Sequence, residues 1–300
     1  MKAFVVETYG KDGLSAAEVP EPELGEGDVL VKVSAASVNP LDKMVRNGEF
    51  KRLLKYRTPF VLGHDVAGVV TRVGSAVGDF QVGDEVYARP RDLRIGTFAE
   101  YIAINHDDLA PKPESLTLHQ AAAVPLVSLA AWQALVDRAH LKPGQKVLVH
   151  AGSGGLGSTV IQLAKHLGAT VATTASGQNA ELVRSLGADV VADYKKENFA
   201  EVLSGYDVVL DSLGGENRIS CGAGGTVRCI EGDIAIPIAT QCSYQRANPT
   251  LPYTVIARRG VAGVYVRITA AKHDRMSTHT ERGPLRQGSS QVRSGAARHH

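Results

Sequence analysis

The sequence predicts an α/β fold in which a β-rich N-terminal domain precedes a doubly wound parallel sheet. Short β-type runs separated by Gly, Pro and Asp turns fill about the first 115 residues. From Leu118 onward, helices and strands alternate, and this alternation is typical of a parallel sheet with helices on both faces. With 300 residues and 44% hydrophobic content, the chain is long enough for two compact domains.

Each element follows from its local pattern. We predict a first strand over 4–7 and further strands over 29–33, 66–73, 84–88 and 98–104. A long helical segment is expected from Leu118 to Ala139, before a turn at 142–144. The alternating series is strand 146–150, helix 156–167, strand 170–175, helix 180–186, strand 189–192, helix 198–203 and strand 207–210.

The composition changes after Asn217. The first 217 residues contain 24 leucines and 9 arginines, whereas the last 83 contain 2 and 11. We therefore divide the chain into a first domain over 1–117, a second over 118–235, and an atypical, partly disordered, Arg-rich tail over 236–300. The parallel sheet is expected to be incomplete at its C-terminal end. A reading-frame change in the gene is our hypothesis for the shift.

The longest nearly apolar stretch, 121–135, is too short to span a bilayer, and Glu7 interrupts the apolar run that a secretory signal would need, so we expect a soluble, cytoplasmic protein. Its cysteines are expected to be free thiols. The net charge of +2 divides into −6 for residues 1–217 and +8 for the remainder. The basic residues form neither a helical stripe nor an aromatic-interleaved patch, so we expect neither nucleic acid nor a membrane as partner. The three cysteines all follow residue 220, without a disulfide framework or a paired zinc spacing.

A glycine-rich loop follows the strand at 146–150 and leads directly into a helix. Glycine lets the backbone turn tightly and approach a pyrophosphate, and the helix N-terminus offers free amide donors to the anion. We predict that this loop binds a dinucleotide. Its residues are Gly152, Ser153, Gly154, Gly155, Leu156 and Gly157.

The end of the next strand indicates the form of the cofactor. An NAD-selective site places an Asp or Glu there to bind the ribose 2′-hydroxyl. This chain has Ser176 and no acid between Thr173 and Asn179. A 2′-phosphate would meet no repulsion and could accept a hydrogen bond from Ser176, so we predict NADPH.

Several linked motifs resemble the zinc-free quinone oxidoreductase branch of the medium-chain dehydrogenase/reductase superfamily. They are residues 37–42, 59–70 and 96–101, together with the glycine loop. The resemblance covers residues 1 to about 217, and the tail does not match. It implies a GroES-like catalytic domain, a Rossmann NADP-binding domain and a cleft between them.

The same resemblance implies roles for individual residues. Asn39 and Asp42 would lie near the nicotinamide and orient the substrate or a proton-relaying water. Cofactor contacts are implied for Ser128, Tyr194, Ser212 and Leu213.

The alternative of a zinc-dependent enzyme must also be considered. Zinc-dependent relatives use a Cys near the position of Asn39 and the His of a Gly-His-Glu motif. This chain keeps His64 but has no cysteine before residue 221. Because a catalytic zinc needs three protein ligands, we predict no metal and expect His64 to be a hydrogen-bonded pocket or core residue.

The predicted function is NADPH-dependent hydride transfer to quinones or α,β-unsaturated carbonyls without zinc. Conjugation in such acceptors spreads the incoming charge, so alignment and hydrogen bonds are the main requirements. The alternative is a catalytically impaired NADPH-binding protein, truncated or frameshifted. An enoyl-thioester reductase ranks lower, because the Tyr proton donor common in that branch is missing between Asp42 and Phe50. A family-type homodimer is left open.

Overall fold

In a computed structural model, the chain is described over residues 1–213, together with the backbone of Arg228–Ile230. The tail over 236–300, which the sequence predicts to be atypical, Arg-rich and partly disordered, lies outside the described residues, so this expectation stays a prediction.

The N-terminal half is β-rich, as predicted, and its strands form antiparallel sheets. Its strands form one three-stranded sheet of order β2-β1-β4 and one five-stranded sheet of order β7-β3-β5-β6-β8. The long strand β3 changes register twice against β5, and such bulges let a sheet curl. The strands are β1 (Lys2–Val6), β2 (Leu14–Glu18), β3 (Asp28–Ser37), β4 (Phe60–Val61), β5 (Asp65–Val73), β6 (Glu85–Ala88), β7 (Tyr101–Asn105) and β8 (Leu109–Pro111).

Helix α1 (Pro40–Asn47) lies within the N-terminal half, between β3 and β4. Two further helices, α2 (Leu118–Ala122) and α3 (Pro125–Trp132), lead into the parallel sheet, and α3 continues into a π-helical turn over Gln133–Arg138. The expected single helix from Leu118 to Ala139 is therefore wrong. Pro125 has no N–H to donate to the preceding turn, so α2 ends and Pro125 occupies the first position of α3, where no donor is needed.

The C-terminal half is a parallel sheet of order β11-β10-β9-β12-β13. In the order of the chain this is 3-2-1-4-5, the arrangement of a dinucleotide-binding Rossmann sheet. The fifth strand lies beyond Asn217, where the resemblance was expected to end. The elements are β9 (Lys146–Val149), α4 (Gly155–His166), β10 (Thr170–Ala175), α5 (Ala180–Ser185), β11 (Val190–Asp193), α6 (Phe199–Val202), β12 (Val208–Leu210) and β13 (Arg228–Ile230).

Both faces of the parallel sheet are covered, which confirms the doubly wound prediction. On one face, Val147 and Val171 are fully buried in the core that includes Leu163 of α4. On the other, Leu148 and Ala172 are buried beneath Phe199 of α6. Neighbouring strand residues point to opposite faces, and each fully buried aliphatic side chain contributes about 1.5–3 kcal/mol. Within the described ranges, no helix is long and apolar enough to span a membrane.

Candidate active site

Except for Ser128 in α3, the residues predicted to bind the cofactor follow the carboxyl ends of four parallel strands. The glycine loop follows β9, Ser176 follows β10, Tyr194 follows β11, and Ser212 and Leu213 come just after β12. In open α/β sheets, ligands bind in the crevice outside these ends. The fold thus brings segments from four parts of the sequence to one edge of the sheet.

Two glycines of the loop lie where no side chain fits. A Cβ at Gly152 would be 2.0 Å from the hydroxyl oxygen of Thr173, and one at Gly157 would be 2.2 Å from the carbonyl oxygen of Ala151. Ala151 itself adopts the left-handed conformation, with φ of 53°. The loop therefore packs tightly against the end of the sheet, and glycine is required at both positions.

The middle of the loop is open instead. Gly154 and Gly155 are exposed, and Gly155 would meet only Val127 of α3, at 3.8 Å from an added Cβ. Helix α4 begins at Gly155, so the first amides of its initial turn have no partner within the helix. An exposed backbone with free N–H groups at the start of a 12-residue helix fits a pyrophosphate.

Polar side chains at the ends of β9 and β10, and in the turn after β10, form hydrogen bonds around the glycine loop. Thr174 accepts a hydrogen bond from the backbone N–H of Ala151 at 3.2 Å, and its hydroxyl oxygen lies 3.2 Å from His150 Nδ1. Burial lowers the pKa of His150. Asn179 donates to the Ser153 hydroxyl at 3.1 Å. We did not predict these supporting residues, because hydrogen bonding across the sheet carries no local sequence signal.

The turn after β10 contains a feature that the sequence did not suggest. Ser176 is buried, as expected of a residue lining a pocket. However, a Cβ at the neighbouring Gly177 would lie 2.7 Å from a carboxylate oxygen of Asp193, at the end of the next strand. Asp193 accepts the N–H of Lys195 and lies 3.9 Å from Lys196 Nζ, which offsets its charge. Tyr194 is 58% exposed at the rim.

A second polar cluster lies in the N-terminal half, where β3 leads into α1. Asn39 is the residue before the first turn of α1 and has an extended backbone, with φ of −113° and ψ of 156°. Its side-chain nitrogen donates to the Asp65 carboxylate at 2.9 Å and to the Ser37 hydroxyl at 3.2 Å. Ser37 in turn donates to Asp65 at 2.8 Å. Asn39 is therefore held in one orientation.

The other predicted catalytic residue, Asp42, is buried beside Asn39. One carboxylate oxygen accepts the backbone N–H of Asn39 at 2.6 Å, and the other lies 2.6 Å from His64 Nδ1. His64 is fully buried, which confirms the expectation of a hydrogen-bonded core residue. The structure thus brings the two predicted catalytic residues together.

Asp65 is the residue of this cluster that the sequence analysis missed. Besides Ser37 and Asn39, it accepts the backbone N–H of Leu126 at 2.9 Å. Burial raises the pKa of Asp65 to about 7, although these hydrogen bonds and the charge of Arg89 act in the opposite direction. An ionisable group with this pKa changes charge near neutrality.

Helix α3 connects the polar cluster to the glycine loop. The backbone N–H of Leu126 donates to Asp65, and Val127 lies near the glycine loop, 3.8 Å from where a Cβ on Gly155 would be. The next residue, Ser128, is almost fully buried, and its hydroxyl has no hydrogen-bond partner within the described part of the chain. A buried hydroxyl without a partner is costly, so it marks a position where a ligand could supply the bond.

This cluster offers few of the ligands that a catalytic zinc uses. The position expected of a cysteine holds the Asn39 carboxamide, which donates to Asp65. His64 Nδ1 lies against Asp42, and His64 Nε2 is buried without a hydrogen-bond partner among the described residues. Within residues 1–213, no group of three or more His, Cys, Asp or Glu side chains is arranged to hold a metal ion.

A cavity of about 930 Å³ opens elsewhere on the N-terminal half. Its walls are mainly apolar side chains of β1, β2 and β3, and it reaches Asp42 and Thr97. None of the predicted cofactor residues lines it, so we do not assign it to the cofactor.

Comparisons with known proteins agree with this architecture. Residues 25–114 match the family model of the alcohol dehydrogenase GroES-like domain, and residues 155–221 match that of the zinc-binding dehydrogenases. A chloroplastic NADPH-dependent alkenal/one oxidoreductase from Arabidopsis thaliana is 46% identical over 71% of this chain and 58% of its own length. A chloroplastic quinone oxidoreductase from Triphysaria versicolor is 36% identical over 70% of this chain and 67% of its own length.

A solved structure is similar over most of the chain. The quinone oxidoreductase from Coxiella burnetii superimposes with a TM-score of 0.71, at 36% identity, over 80% of each chain. The chain spans only 58% to 64% of the length of the first curated relatives that it matches.

A curled antiparallel half and a Rossmann half with its glycine loop define the architecture of two-domain dehydrogenases. The chain belongs to the quinone and enone oxidoreductase branch of the medium-chain dehydrogenase/reductase superfamily.

Proposed function

We propose that the protein is an NADPH-dependent reductase that transfers hydride to quinones or α,β-unsaturated carbonyls without zinc. The proposal rests on helix α3, whose first turn lies near both the polar cluster and the glycine loop. Asp65 accepts a hydrogen bond from Leu126 at the start of this helix, and the next residue, Val127, lies near the glycine loop, 3.8 Å from where a Cβ on Gly155 would be. A dinucleotide bound at that loop would therefore extend toward the polar cluster.

Each part of the chain has a task in this reaction. NADPH, when bound, supplies the hydride. The amides at the start of α4 would hold the pyrophosphate, and the Ser128 hydroxyl, which lacks a partner among the described residues, would bind the nicotinamide end. The tightly held Asn39 carboxamide would orient the acceptor or a proton-relaying water, with Asp42 fixing its backbone.

The class of hydride acceptor that we propose follows from the groups that the polar cluster presents. The proposed reaction uses no metal, so a simple ketone would find no strong electrophile in this cluster. A quinone or enone needs less polarisation, because conjugation stabilises the charge that hydride delivers. The names of the relatives from Arabidopsis thaliana and Triphysaria versicolor support these acceptor classes.

The preference for NADPH rests on Ser176. Its buried position after β10 is where the adenosine ribose of a bound dinucleotide would lie. The nearby Asp193 accepts the backbone N–H of Lys195 and lies 3.9 Å from the exposed Lys196 Nζ, and this one cation reduces its repulsion of a 2′-phosphate. Tyr194, Ser212 and Leu213 would complete the rim of this site.

The test is a spectrophotometric assay of NADPH oxidation by the purified protein. The acceptors are a naphthoquinone, a short enone and an aldehyde, each with and without a metal chelator. We expect oxidation with the quinone or the enone, unchanged by chelator. Oxidation that chelator abolishes and zinc restores would refute the zinc-free reaction. NADPH binding without turnover of any acceptor would identify a cofactor-binding protein that is not a reductase.

A further inference from the structure

Asp65 joins three segments that are far apart in the sequence. It is fully buried at the start of β5 and accepts three hydrogen bonds. Two come from the end of β3, from the Ser37 hydroxyl and the Asn39 carboxamide, and these share one carboxylate oxygen. The third comes from the Leu126 backbone and uses the other oxygen.

An amide side chain could not make the same set of bonds. Two of the partners are N–H donors, one at each carboxylate oxygen, and an amide would present its own NH2 group to one of them. Burying a carboxylate is unfavourable unless it is well hydrogen-bonded, so this geometry favours a specific role over general packing.

We infer that Asp65 is a positioning residue of the active site, which fixes the Asn39 carboxamide relative to the first turn of α3. This inference rests on the proposed function. The acceptor would be oriented by Asn39, and the nicotinamide by Ser128, two residues after Leu126. Asp65 hydrogen-bonds both to Asn39 and to the backbone of α3, and it therefore sets the distance between the acceptor and the nicotinamide.

Charged neighbours act on Asp65 from other elements. Arg89 follows β6, and its positive charge favours the ionised form, although burial has the larger effect in the opposite direction. The Asp42–His64 pair lies on the other side of Asn39. Helix α3 presents only a backbone N–H.

The test replaces Asp65 by an isosteric amide. In Asp65→Asn the side-chain NH2 group must face either the Asn39 carboxamide or the Leu126 N–H. Both of these groups donate, so one of the two hydrogen bonds is lost. A displacement of about 1 Å is enough to cost up to about a hundredfold in rate. We expect kcat to fall at least about tenfold, with KM for NADPH within about twofold, because the glycine loop is not touched.

Asp108→Asn is the matched control. Asp108 is also buried and also accepts several bonds, here from Arg91. A similar loss of thermal stability with an unchanged kcat is expected. An equal fall of kcat in both variants would overturn the inference, because it would reduce the effect to stability.

A double variant tests whether Asp65 acts through Asn39 or contributes to the reaction independently of it. If Asp65 acts through Asn39, then Asp65→Asn added to Asn39→Ala lowers kcat no further than Asn39→Ala alone. Losses that multiply would overturn the inference.

A nuclear magnetic resonance measurement tests the inference without turnover. In protein labelled with ¹⁵N-asparagine, the side-chain amide signal of Asn39 is assigned by its loss in Asn39→Ala. We expect Asp65→Asn to move this signal and to leave that of Asn179, which is bonded to Ser153, in place. An unmoved Asn39 signal would overturn the inference even if the wild-type protein reduces no acceptor.

A second variant serves if Asp65→Asn does not fold. Ser37→Ala removes one donor to Asp65 and keeps the charge, but it also removes the hydroxyl that accepts from Asn39. The signal to follow is therefore the backbone amide of Leu126, in protein labelled with ¹⁵N-leucine, because Leu126 bonds only to Asp65 in this cluster. We expect this signal to move and kcat to fall less than in Asp65→Asn. An unmoved signal in this variant would likewise overturn the inference.

Discussion

Replacing Gly157 by alanine tests how the glycine loop works. An added Cβ would lie 2.2 Å from the carbonyl oxygen of Ala151 and 2.8 Å from the Cα of Gly152. Both are backbone atoms, so the loop and the first turn of α4 must move apart by about 1 Å to reach ordinary contact. Overpacking of this kind costs about 1–3 kcal/mol of stability.

The same movement weakens cofactor binding. The amides at the start of α4 would no longer meet the pyrophosphate at hydrogen-bond distance. Loss of one hydrogen bond to a charged group costs about 1.5–3 kcal/mol, so Kd for NADPH should rise about 10- to 150-fold. The assay is a titration of NADPH fluorescence, combined with thermal unfolding.

Gly155→Ala is the control for stability. Its Cβ would meet only the Val127 side chain, at 3.8 Å, and alanine favours the helix that begins there. We expect its thermal midpoint to equal or exceed that of the wild type. Wild-type NADPH affinity and wild-type stability in Gly157→Ala would refute the tight packing of the loop.

Three further predictions follow from the same geometry. Ser176→Asp should raise Kd for NADPH at least roughly tenfold through repulsion of the 2′-phosphate while NADH is affected less; equal changes for the two cofactors would show that Ser176 does not contact that phosphate. The pKa of Asp65 is raised from 3.8 to about 7 on folding, so its contribution to stability is fully present below pH 3.8 and is lost as the pH rises through 7. It amounts to about 4 kcal/mol in total, and unfolding titrations should give a flatter pH dependence for Asp65→Asn than for the wild type. Leu135→Ala empties a fully buried position in the core beside the parallel sheet, and urea unfolding should show a loss of about 2–5 kcal/mol with NADPH affinity retained at low temperature.

Local patterns were sufficient to predict most of the fold. The strand, glycine loop and helix from Lys146 to His166 could be predicted because strand and helix periodicity and glycine position are properties of adjacent residues. The break before Pro125 was missed because apolar residues continue across it, although proline itself is a local signal.

The candidate site was predicted only in part. Asn39 and Asp42 stand out in one short motif, but Asp65 binds partners 26 and 61 residues away, at Asn39 and Leu126. Asp193 reaches the turn at Gly177 only because β10 and β11 are adjacent in the sheet. Contacts of this kind depend on the topology of the sheet, and the sequence alone does not indicate them.

Transfer of deuterium from NADPH labelled at C4 of the nicotinamide tests the central claim most directly. The labelled cofactor, prepared separately with deuterium on each face, is incubated with the protein and a short enone, and the product is analysed by mass spectrometry. The account predicts deuterium at the β-carbon of a saturated ketone, from one face only. Deuterium at the carbonyl carbon of an alcohol, or an enone recovered unlabelled while NADPH remains bound, would contradict it.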